Sequence, residues 1–239
     1  MIAKEINAPS DRIKIESCET AEKAINLAAK KLIDSLESAL SSNKMILLML
    51  SGGSNLKILD LVPKELLDNP GITIYVLDER FSSDLALNNS LQIKEKGVNI
   101  NLTVPDHEES LEAFASRFND ELRLWLNQNP DGELIATLGM GPDGHMAGIS
   151  PMPEDQSKFD ATFNQEKLAI GYVGNLSPAE RVTVSPAFLA RINLFITLIT
   201  GEPKREAFKN FINRKTKPNV HPIQLLHEFL GKTIIFTDL

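Results

Sequence analysis

The sequence ELIATL at residues 133–138, followed directly by GMGPDGH at residues 139–145, is the most informative stretch of the 239-residue chain. The first segment is an apolar run of strand length, and the second contains three glycines. Each glycine costs backbone entropy when it is ordered, so such a loop is typical of a place where the backbone approaches a ligand. Asp143 and His145 follow the strand at its carboxyl end, where open α/β sheets bind substrates. The stretch predicts an active-site loop, although Asp-Gly-His alone would indicate only a turn.

Other apolar runs of strand length alternate with helical patterns along the chain. Strands are predicted at residues 45–50, 72–77, 134–138, 192–199 and 233–237, with weaker ones near 168–173 and 181–184. Helices are predicted over residues 20–40, with Thr20 as N-cap, over 110–127, after 51–54 through Leu61, and after 200–204 through Phe211. This alternation indicates βαβ units and a mainly parallel sheet. We therefore expect one α/β domain over residues 1–239.

The composition, with 42% hydrophobic and 24% charged residues, is that of an ordinary globular protein. No apolar run approaches the ~20 residues of a membrane span, and the N-terminal segment has no signal-peptide core. Cys18 is the only cysteine, which excludes an internal disulfide and a cysteine-based zinc cluster. These features predict a cytoplasmic protein without a membrane partner.

The charge balance also limits the partners. A net charge of −7 argues against nucleic acid, whose binding depends on clustered Lys and Arg, but a local cationic pocket can still hold a small anion. The four histidines, His107, His145, His221 and His227, lack the spacing of a metal motif. We therefore expect no metal and no cofactor.

Four polar clusters each follow an apolar run, at residues 51–54, 78–80, 139–145 and 200–204. Each cluster alone is typical of a turn. Because the carboxyl ends of parallel strands lie at the same edge of a sheet, the four clusters should converge there. The sequence therefore predicts a single binding site built from several loops.

Two kinds of chemistry are predicted at that edge. Ser51-Gly52-Gly53-Ser54 lies between a strand and a helix, where backbone N–H groups favour an anion, although it is neither a P-loop nor a dinucleotide motif. Lys204, Arg181 and Arg80 could add positive charge, or could be ordinary surface side chains.

Acid–base chemistry has three candidate residues. His145 is suited to accept a proton near neutral pH, and Asp143 could orient its ring and stabilise the imidazolium ion. Asp78 is either a buried catalytic carboxylate or a helix cap. Packing roles are predicted for His221 and His227, and a solvated helix start for His107.

These motifs, SGGS, DER, GMGPDGH, the RVT that starts at Arg181, and TGEPK, resemble in this order the superfamily of glucosamine-6-phosphate isomerases and 6-phosphogluconolactonases. The resemblance spans about residues 20–211. It implies a modified doubly wound, Rossmann-like α/β fold with helices on both faces of a mainly parallel sheet. It also implies a sugar-phosphate site at the carboxyl ends of the strands.

One position separates the activities of this superfamily. Deaminating isomerases carry an Asn-Glu pair shortly after the histidine, and that Glu serves ring opening; here Ser150 stands at the Glu position. Pro151 aligns with the last proline of the lactonase HTASLFP motif, and DER also resembles the lactonase version. The resemblance therefore implies hydrolysis of a phosphorylated sugar lactone, foremost 6-phospho-D-glucono-1,5-lactone, by water that His145 activates, with the phosphate held by SGGS, Lys204, Arg181 and Arg80.

Two other functions stay open: an isomerase-deaminase with Asp78 as base, and a sugar-phosphate sensor without catalysis. Asn55, Met146, Gly148 and Ser150 depart from the lactonase pattern and leave the exact lactone undetermined. Residues 150–166 are the longest polar stretch, which predicts an irregular flap beside the site.

Overall fold

A computed structural model describes residues 5–6, 12–82, 84–101, 108–175 and 177–239. In these residues the strands are β1 (Glu5–Ile6), β2 (Ile13–Ser17), β3 (Ile46–Leu50), β4 (Ile72–Val76), β5 (Asp78–Arg80), β6 (Glu133–Gly139), β7 (Ala169–Val173), β8 (Glu180–Val184), β9 (Leu194–Ile199) and β10 (Lys232–Thr237). The helices are α1 (Ala21–Ser41), α2 (Leu56–Leu59), α3 (Lys64–Leu67), α4 (Asn89–Glu95), α5 (Leu111–Gln128), α6 (Gln156–Phe163), α7 (Pro186–Leu189) and α8 (Arg205–Ile212).

The larger sheet has the strand order β1-β2-β10-β9-β6-β3-β4. Every pair from β2 to β4 in this order is parallel, and only the short β1 is antiparallel to its neighbour. From β3 the chain proceeds outward to β4 and later returns to β6 on the other side of β3. This reversal is the switch point of a doubly wound sheet, where a crevice opens at the carboxyl ends of the strands. The predicted α/β class and mainly parallel sheet are confirmed.

The core lies on both sides of this sheet, since every residue of β3 and β9 is buried. Helix α1 packs against β9 and β10 through a buried stripe that includes Leu32 and Leu36. Burial of one such leucine contributes about 1.5–3 kcal/mol. As predicted, Thr20 caps α1, and its side chain accepts a hydrogen bond of 3.2 Å from the Lys23 N–H. No helix in the described ranges has the length and apolar character that a membrane crossing requires.

A second, antiparallel sheet of strand order β5-β8-β7 lies beside the first and packs against α5. The sequence pattern indicated only a polar cluster at residues 78–80, whereas in the structure these residues form β5 and pair with β8 in the register Asp78↔Thr183 and Arg80↔Arg181. Strand β2, which lies between β1 and β10, was not predicted; its buried Ile13 and Ile15 alternate with the exposed Lys14.

The expectation of an irregular flap at residues 150–166 is wrong. This segment contains α6, which begins after Asp155, the N-cap whose carboxylate accepts from the Lys158 N–H at 2.8 Å. Phe159 and Phe163, four residues apart on α6, are fully buried, and Phe163 lies edge-on to the Tyr172 ring at 4.9 Å. The spacing of these two aromatic residues was the sequence signal for a helix.

Candidate active site

A cavity of about 350 Å³ opens at the carboxyl edge of the parallel sheet. All four polar clusters contribute to its wall. The lining residues are Ser51, Gly52, Gly53, Ser54, Asn55, Asp78, Arg80, Asn89, Gly139, Met140, Gly141, His145, Ala147, Gly148, Ser177, Arg181 and Lys204. The structure therefore brings together every residue proposed from the sequence except Asp143, which lies just behind the wall, in contact with His145. No residue of 150–166 lines the cavity.

The loop that follows β3 turns directly into a short 3₁₀ helix, Gly53–Asn55. Gly53 has φ +64°, a left-handed conformation that suits glycine. The first N–H groups of such a turn have no partner within the helix and can serve an anion. With its amide oriented to satisfy both neighbours, Asn55 donates to Leu138 O at 3.1 Å and accepts from Gly139 N at 3.2 Å. Asn55, which departs from the lactonase pattern, thus joins this loop to the end of β6 by hydrogen bonds.

His145 and Asp143 form a close pair. His145 Nδ1 lies 2.6 Å from Asp143 Oδ1, and the same oxygen accepts from the His145 N–H at 3.2 Å. Burial alone would raise the pKa of Asp143, but the hydrogen bonds and charge of His145 outweigh burial and lower that pKa. Asp143 is therefore a carboxylate that fixes the ring through Nδ1 and leaves Nε2 for other chemistry. A Cβ on Gly141 would collide with the ring, which explains the glycine.

The turn after His145 is held by two buried hydroxyl groups. Ala147 and Gly148 have φ of +47° and +71°. The Thr183 hydroxyl donates to Ala147 O, and the Tyr172 hydroxyl donates to Gly148 O. Tyr172 Oη also accepts from Ser150 N at 3.2 Å and lies 2.7 Å from Ser150 Oγ. Ser150, which stands at the position of the deaminase glutamate, is thus buried in a hydrogen-bond network behind the cavity.

Asp78 on β5 and Arg181 on the neighbouring strand β8 are diagonal to each other, and only 8% and 5% of their surfaces are exposed. Asp78 Oδ2 lies 3.7 Å from Arg181 Nη1. Burial raises the pKa of Asp78, and the positive charges of Arg181, His145 and Arg80 oppose the increase. Since Asp78 lies within strand β5, its alternative role as a helix cap is wrong. That role belongs to the neighbouring Glu79, whose carboxylate accepts from the Asn89 N–H at 2.7 Å and the Ser90 N–H at 2.9 Å.

Two further cations reach the cavity from different directions. Arg80 donates through Nη1 to Leu87 O at 3.0 Å. Lys204 follows β9 in a turn that begins at Gly201, where φ is +94°. Burial lowers the pKa of Lys204, and the nearby negative charge of Asp238 opposes this decrease. A half-buried cation with a lowered pKa is electrostatically suited to an anionic ligand.

The other histidines have packing contacts in the structure. His227 stacks on the Phe211 ring at 4.4 Å, and His221 packs against Gly144 and lies 2.9 Å from Thr216 Oγ1 through Nδ1. His107 lies outside the described residues. Among the residues that are described, no group of three His, Cys, Asp or Glu side chains is arranged to hold a metal ion.

Asn89 and Ser177 line the cavity but were missed by the sequence analysis. Asn89 follows DER by nine positions in a segment without an apolar strand before it, so the rule that polar residues follow strands could not identify it. Ser177 lies in the connection between β7 and β8.

Comparison with known proteins agrees with this geometry. The model of the family described as glucosamine-6-phosphate isomerases/6-phosphogluconolactonase matches residues 19–235. A 6-phosphogluconolactonase of Caulobacter vibrioides is 25% identical over 211 residues, which cover 82% of this chain and 87% of that protein. A glucosamine-6-phosphate deaminase of Staphylococcus haemolyticus is 27% identical over 145 residues, 58% of this chain.

Two curated relatives are matched over only part of their length. The match covers 57% of the Staphylococcus haemolyticus protein. It covers 24% of a bifunctional glucose-6-phosphate 1-dehydrogenase/6-phosphogluconolactonase of Plasmodium falciparum, at 22% identity and over 80% of this chain.

Solved structures share the fold. The 6-phosphogluconolactonase of Thermotoga maritima has a TM-score of 0.72 at 22% identity, covering 94% of this chain and 98% of that one. A 6-phosphogluconolactonase of Shewanella baltica has a TM-score of 0.75 at 19% identity, covering 97% and 99%. The family match over residues 19–235 shows that the chain belongs to the family of glucosamine-6-phosphate isomerases and 6-phosphogluconolactonases.

Proposed function

We propose that this protein hydrolyses a phosphorylated sugar lactone, with 6-phospho-D-glucono-1,5-lactone as substrate and 6-phosphogluconate as product. The observation that carries the proposal is the 2.6 Å contact between His145 Nδ1 and Asp143 Oδ1 at a cavity that Arg181 and Lys204 also line. A base, its orienting carboxylate and an anion site thus occupy one crevice. The names of the Caulobacter vibrioides and Thermotoga maritima relatives, both 6-phosphogluconolactonases, support this choice of substrate.

The phosphate is held by backbone N–H groups of residues 51–54 together with Lys204 and Arg181, and Arg80 adds a third positive charge. The cavity of about 350 Å³ is of a size that suits a single sugar phosphate. Charge-assisted hydrogen bonds of this kind contribute about 1.5–3 kcal/mol each. The cationic wall opposes the net charge of −7 and concentrates the anionic substrate locally.

The chemical step needs one proton acceptor that later becomes a donor. His145 Nε2 takes a proton from water, and the resulting hydroxide attacks the lactone carbonyl carbon. As the tetrahedral intermediate collapses, the bond between that carbon and the ring oxygen breaks and the imidazolium ion protonates the ring oxygen. Asp143 stabilises the imidazolium ion in between. General-base assistance of this type contributes about 10²–10⁴ in rate.

Deamination of glucosamine 6-phosphate is the main rival, and the Staphylococcus haemolyticus relative gives it some support. The burial of Ser150 against Tyr172 opposes it, because the glutamate that serves ring opening in deaminases is replaced by a neutral hydroxyl. A sensor without catalysis would need the phosphate site but would not require the His145–Asp143 pair.

In the cell, the proposed reaction belongs to the pentose phosphate pathway, where oxidation of glucose 6-phosphate supplies the lactone. The Plasmodium falciparum relative is named for both activities, which supports this context. We further propose that residues 1–239 act as one domain, and that the protein works in the cytoplasm on a small-molecule substrate rather than on nucleic acid or membranes.

The decisive experiment offers the pure protein two substrates. Freshly oxidised glucose 6-phosphate supplies the lactone, and its hydrolysis is followed by proton release above the uncatalysed rate. Glucosamine 6-phosphate is offered in parallel, with ammonia as readout. We expect rapid loss of the lactone and no ammonia. Ammonia release at a comparable turnover would replace the lactonase assignment by the deaminase, and inactivity on both substrates with retained binding of sugar phosphates would indicate the sensor.

A further inference from the structure

We propose that Asn89 is a substrate-binding residue that determines specificity, and that its side-chain oxygen accepts a hydrogen bond from one ring hydroxyl of the bound sugar. This inference rests on the proposed function, because it assumes that the ligand in the cavity is a phosphorylated sugar. Asn89 lines the cavity, and only 3% of its surface is exposed.

The orientation of the Asn89 amide is fixed by its neighbours. Nδ2 donates to the Asp78 carbonyl oxygen at 2.9 Å and to Asp78 Oδ2 at 3.3 Å. The Asn89 backbone N–H donates to Glu79 Oε1 at 2.7 Å, which anchors the start of α4. A rotated amide would place Oδ1 against the two oxygens of Asp78, which repel it. The nitrogen therefore faces Asp78, and the oxygen faces the other way.

The Asn89 oxygen has no partner in the part of the chain that the structure describes. Oδ1 is buried and accepts no hydrogen bond from any described residue. It points toward Gly52, where a Cβ would collide with it, so the glycine leaves room for this acceptor at the cavity wall. A buried polar atom without a partner is rare in native proteins and calls for an explanation. A ligand in the cavity that donates a hydrogen bond to Asn89 Oδ1 would explain the missing partner.

The chemistry of the substrate identifies the donor. Ionised phosphate oxygens and the lactone carbonyl oxygen are acceptors only, so neither can pair with Asn89 Oδ1. The ring oxygen also carries no hydrogen, so the ring hydroxyls are the only groups of a phosphorylated sugar lactone that can donate. The contact therefore recognises a ring hydroxyl at the part of the cavity wall formed by Gly52.

The test measures kcat/KM of wild type and Asn89→Ala on 6-phosphogluconolactone and on its 2-deoxy, 3-deoxy and 4-deoxy analogues. Wild type should lose roughly tenfold on one analogue, in line with one hydrogen bond to a neutral group. Asn89→Ala should lose a similar factor on the parent lactone and nothing further on that analogue. Such non-additivity is the signature of a direct contact.

Asn88→Ala is the matched control. Asn88 is also buried, and its Nδ2 donates to Arg80 O of β5 at 2.7 Å. Its Oδ1 likewise has no partner among the residues described, but Asn88 does not line the cavity. Its replacement should change the rates on all four lactones by the same factor, because its effect is only structural.

Several results would overturn the inference. Equal losses of Asn89→Ala on all four lactones would make Asn89 a structural residue only. Equal rates of wild type on all four lactones would show that the enzyme recognises none of the three hydroxyl groups. This measurement needs no variant, so it tests the inference even if Asn89→Ala fails to fold. If wild type hydrolyses no lactone, the proposed function fails. Calorimetry with 6-phosphogluconate and its deoxy analogues then tests Asn89 separately, because Asn89→Ala should show the same non-additivity in Kd. If none of these compounds binds, the inference about Asn89 is overturned as well.

Discussion

Arg181 Nη1 lies 3.7 Å from Asp78 Oδ2, on neighbouring strands of the small antiparallel sheet. This distance is too long for a direct hydrogen bond. Arg181 Nε has no partner among the described residues, and Nη2 makes only a 3.4 Å contact with Ser177 O. Asp78 therefore attracts the guanidinium as an ion pair and leaves much of its donor capacity unused. A phosphate group at the cavity would use that capacity.

The first prediction follows from this partly used arginine. Arg181→Lys keeps the positive charge but loses the planar set of donors, so we expect KM for the lactone to rise roughly tenfold or more with a smaller change in kcat. Steady-state kinetics on the pure variant measures both constants. Arg205→Lys is the control, since Arg205 is exposed and paired with Glu202 at 2.7 Å. An unchanged KM in Arg181→Lys would remove Arg181 from the phosphate site.

Much of the fold could be predicted from local patterns. The buried stripes of α1 and α5 have helical spacing, and the strongly apolar sequences of β3 and β9 predict central strands. The convergence of the polar loops followed from one rule of parallel sheets. Strands β7 and β8 of the small sheet were predicted near residues 168–173 and 181–184, but β5 was not, because it has only three residues and its pairing with β8 depends on contacts distant in sequence.

In the candidate site, too, local features could be predicted from the sequence and contacts between distant elements could not. His145 and Asp143 are two residues apart, so the sequence itself placed them together. By contrast, the network around Ser150 depends on Tyr172 from β7 and on Thr183 from β8, and the amide of Asn55 acts on the end of β6. Such contacts join separate elements, and no local periodicity encodes them.

The second prediction concerns pH and Lys204. Burial lowers the pKa of this lysine in the free protein, and a bound phosphate favours its charged form and should raise that pKa again. Binding of 6-phosphogluconate should therefore take up a proton at alkaline pH, and affinity should fall as pH rises through the pKa of the free protein. Calorimetry in two buffers of different ionisation enthalpy measures the uptake.

Two variants accompany this measurement. Lys204→Ala should abolish the proton uptake and weaken binding by roughly ten- to hundredfold, as expected for one charge-assisted hydrogen bond. Lys209→Ala removes an exposed lysine of α8 and should leave both quantities unchanged. Undiminished proton uptake in Lys204→Ala would assign the titration to another group.

The third prediction concerns the turn after His145. Tyr172→Phe removes the hydroxyl that donates to Gly148 O and leaves this carbonyl without that partner, at a cost of about 1–3 kcal/mol. We expect a lower Tm and a lower kcat with little change in KM, because the turn that positions the catalytic loop becomes looser. Tyr75→Phe is the control: its hydroxyl pairs with Glu121, away from the cavity. Wild-type kcat in folded Tyr172→Phe would limit Tyr172 to stability.

The last prediction concerns the His145–Asp143 pair, on which the proposed reaction depends. If His145 is the general base, His145→Ala should lower kcat by about 10²-fold or more while 6-phosphogluconate still binds. Asp143→Asn should retain the fold and cause a smaller loss, because the ring loses the carboxylate that stabilises its charged form. A purely structural histidine would instead give a destabilised protein whose folded fraction turns over normally. Measurement of kcat per folded molecule, with thermal unfolding alongside, separates the two, and a well-folded His145→Ala protein with near-normal kcat would refute the mechanism.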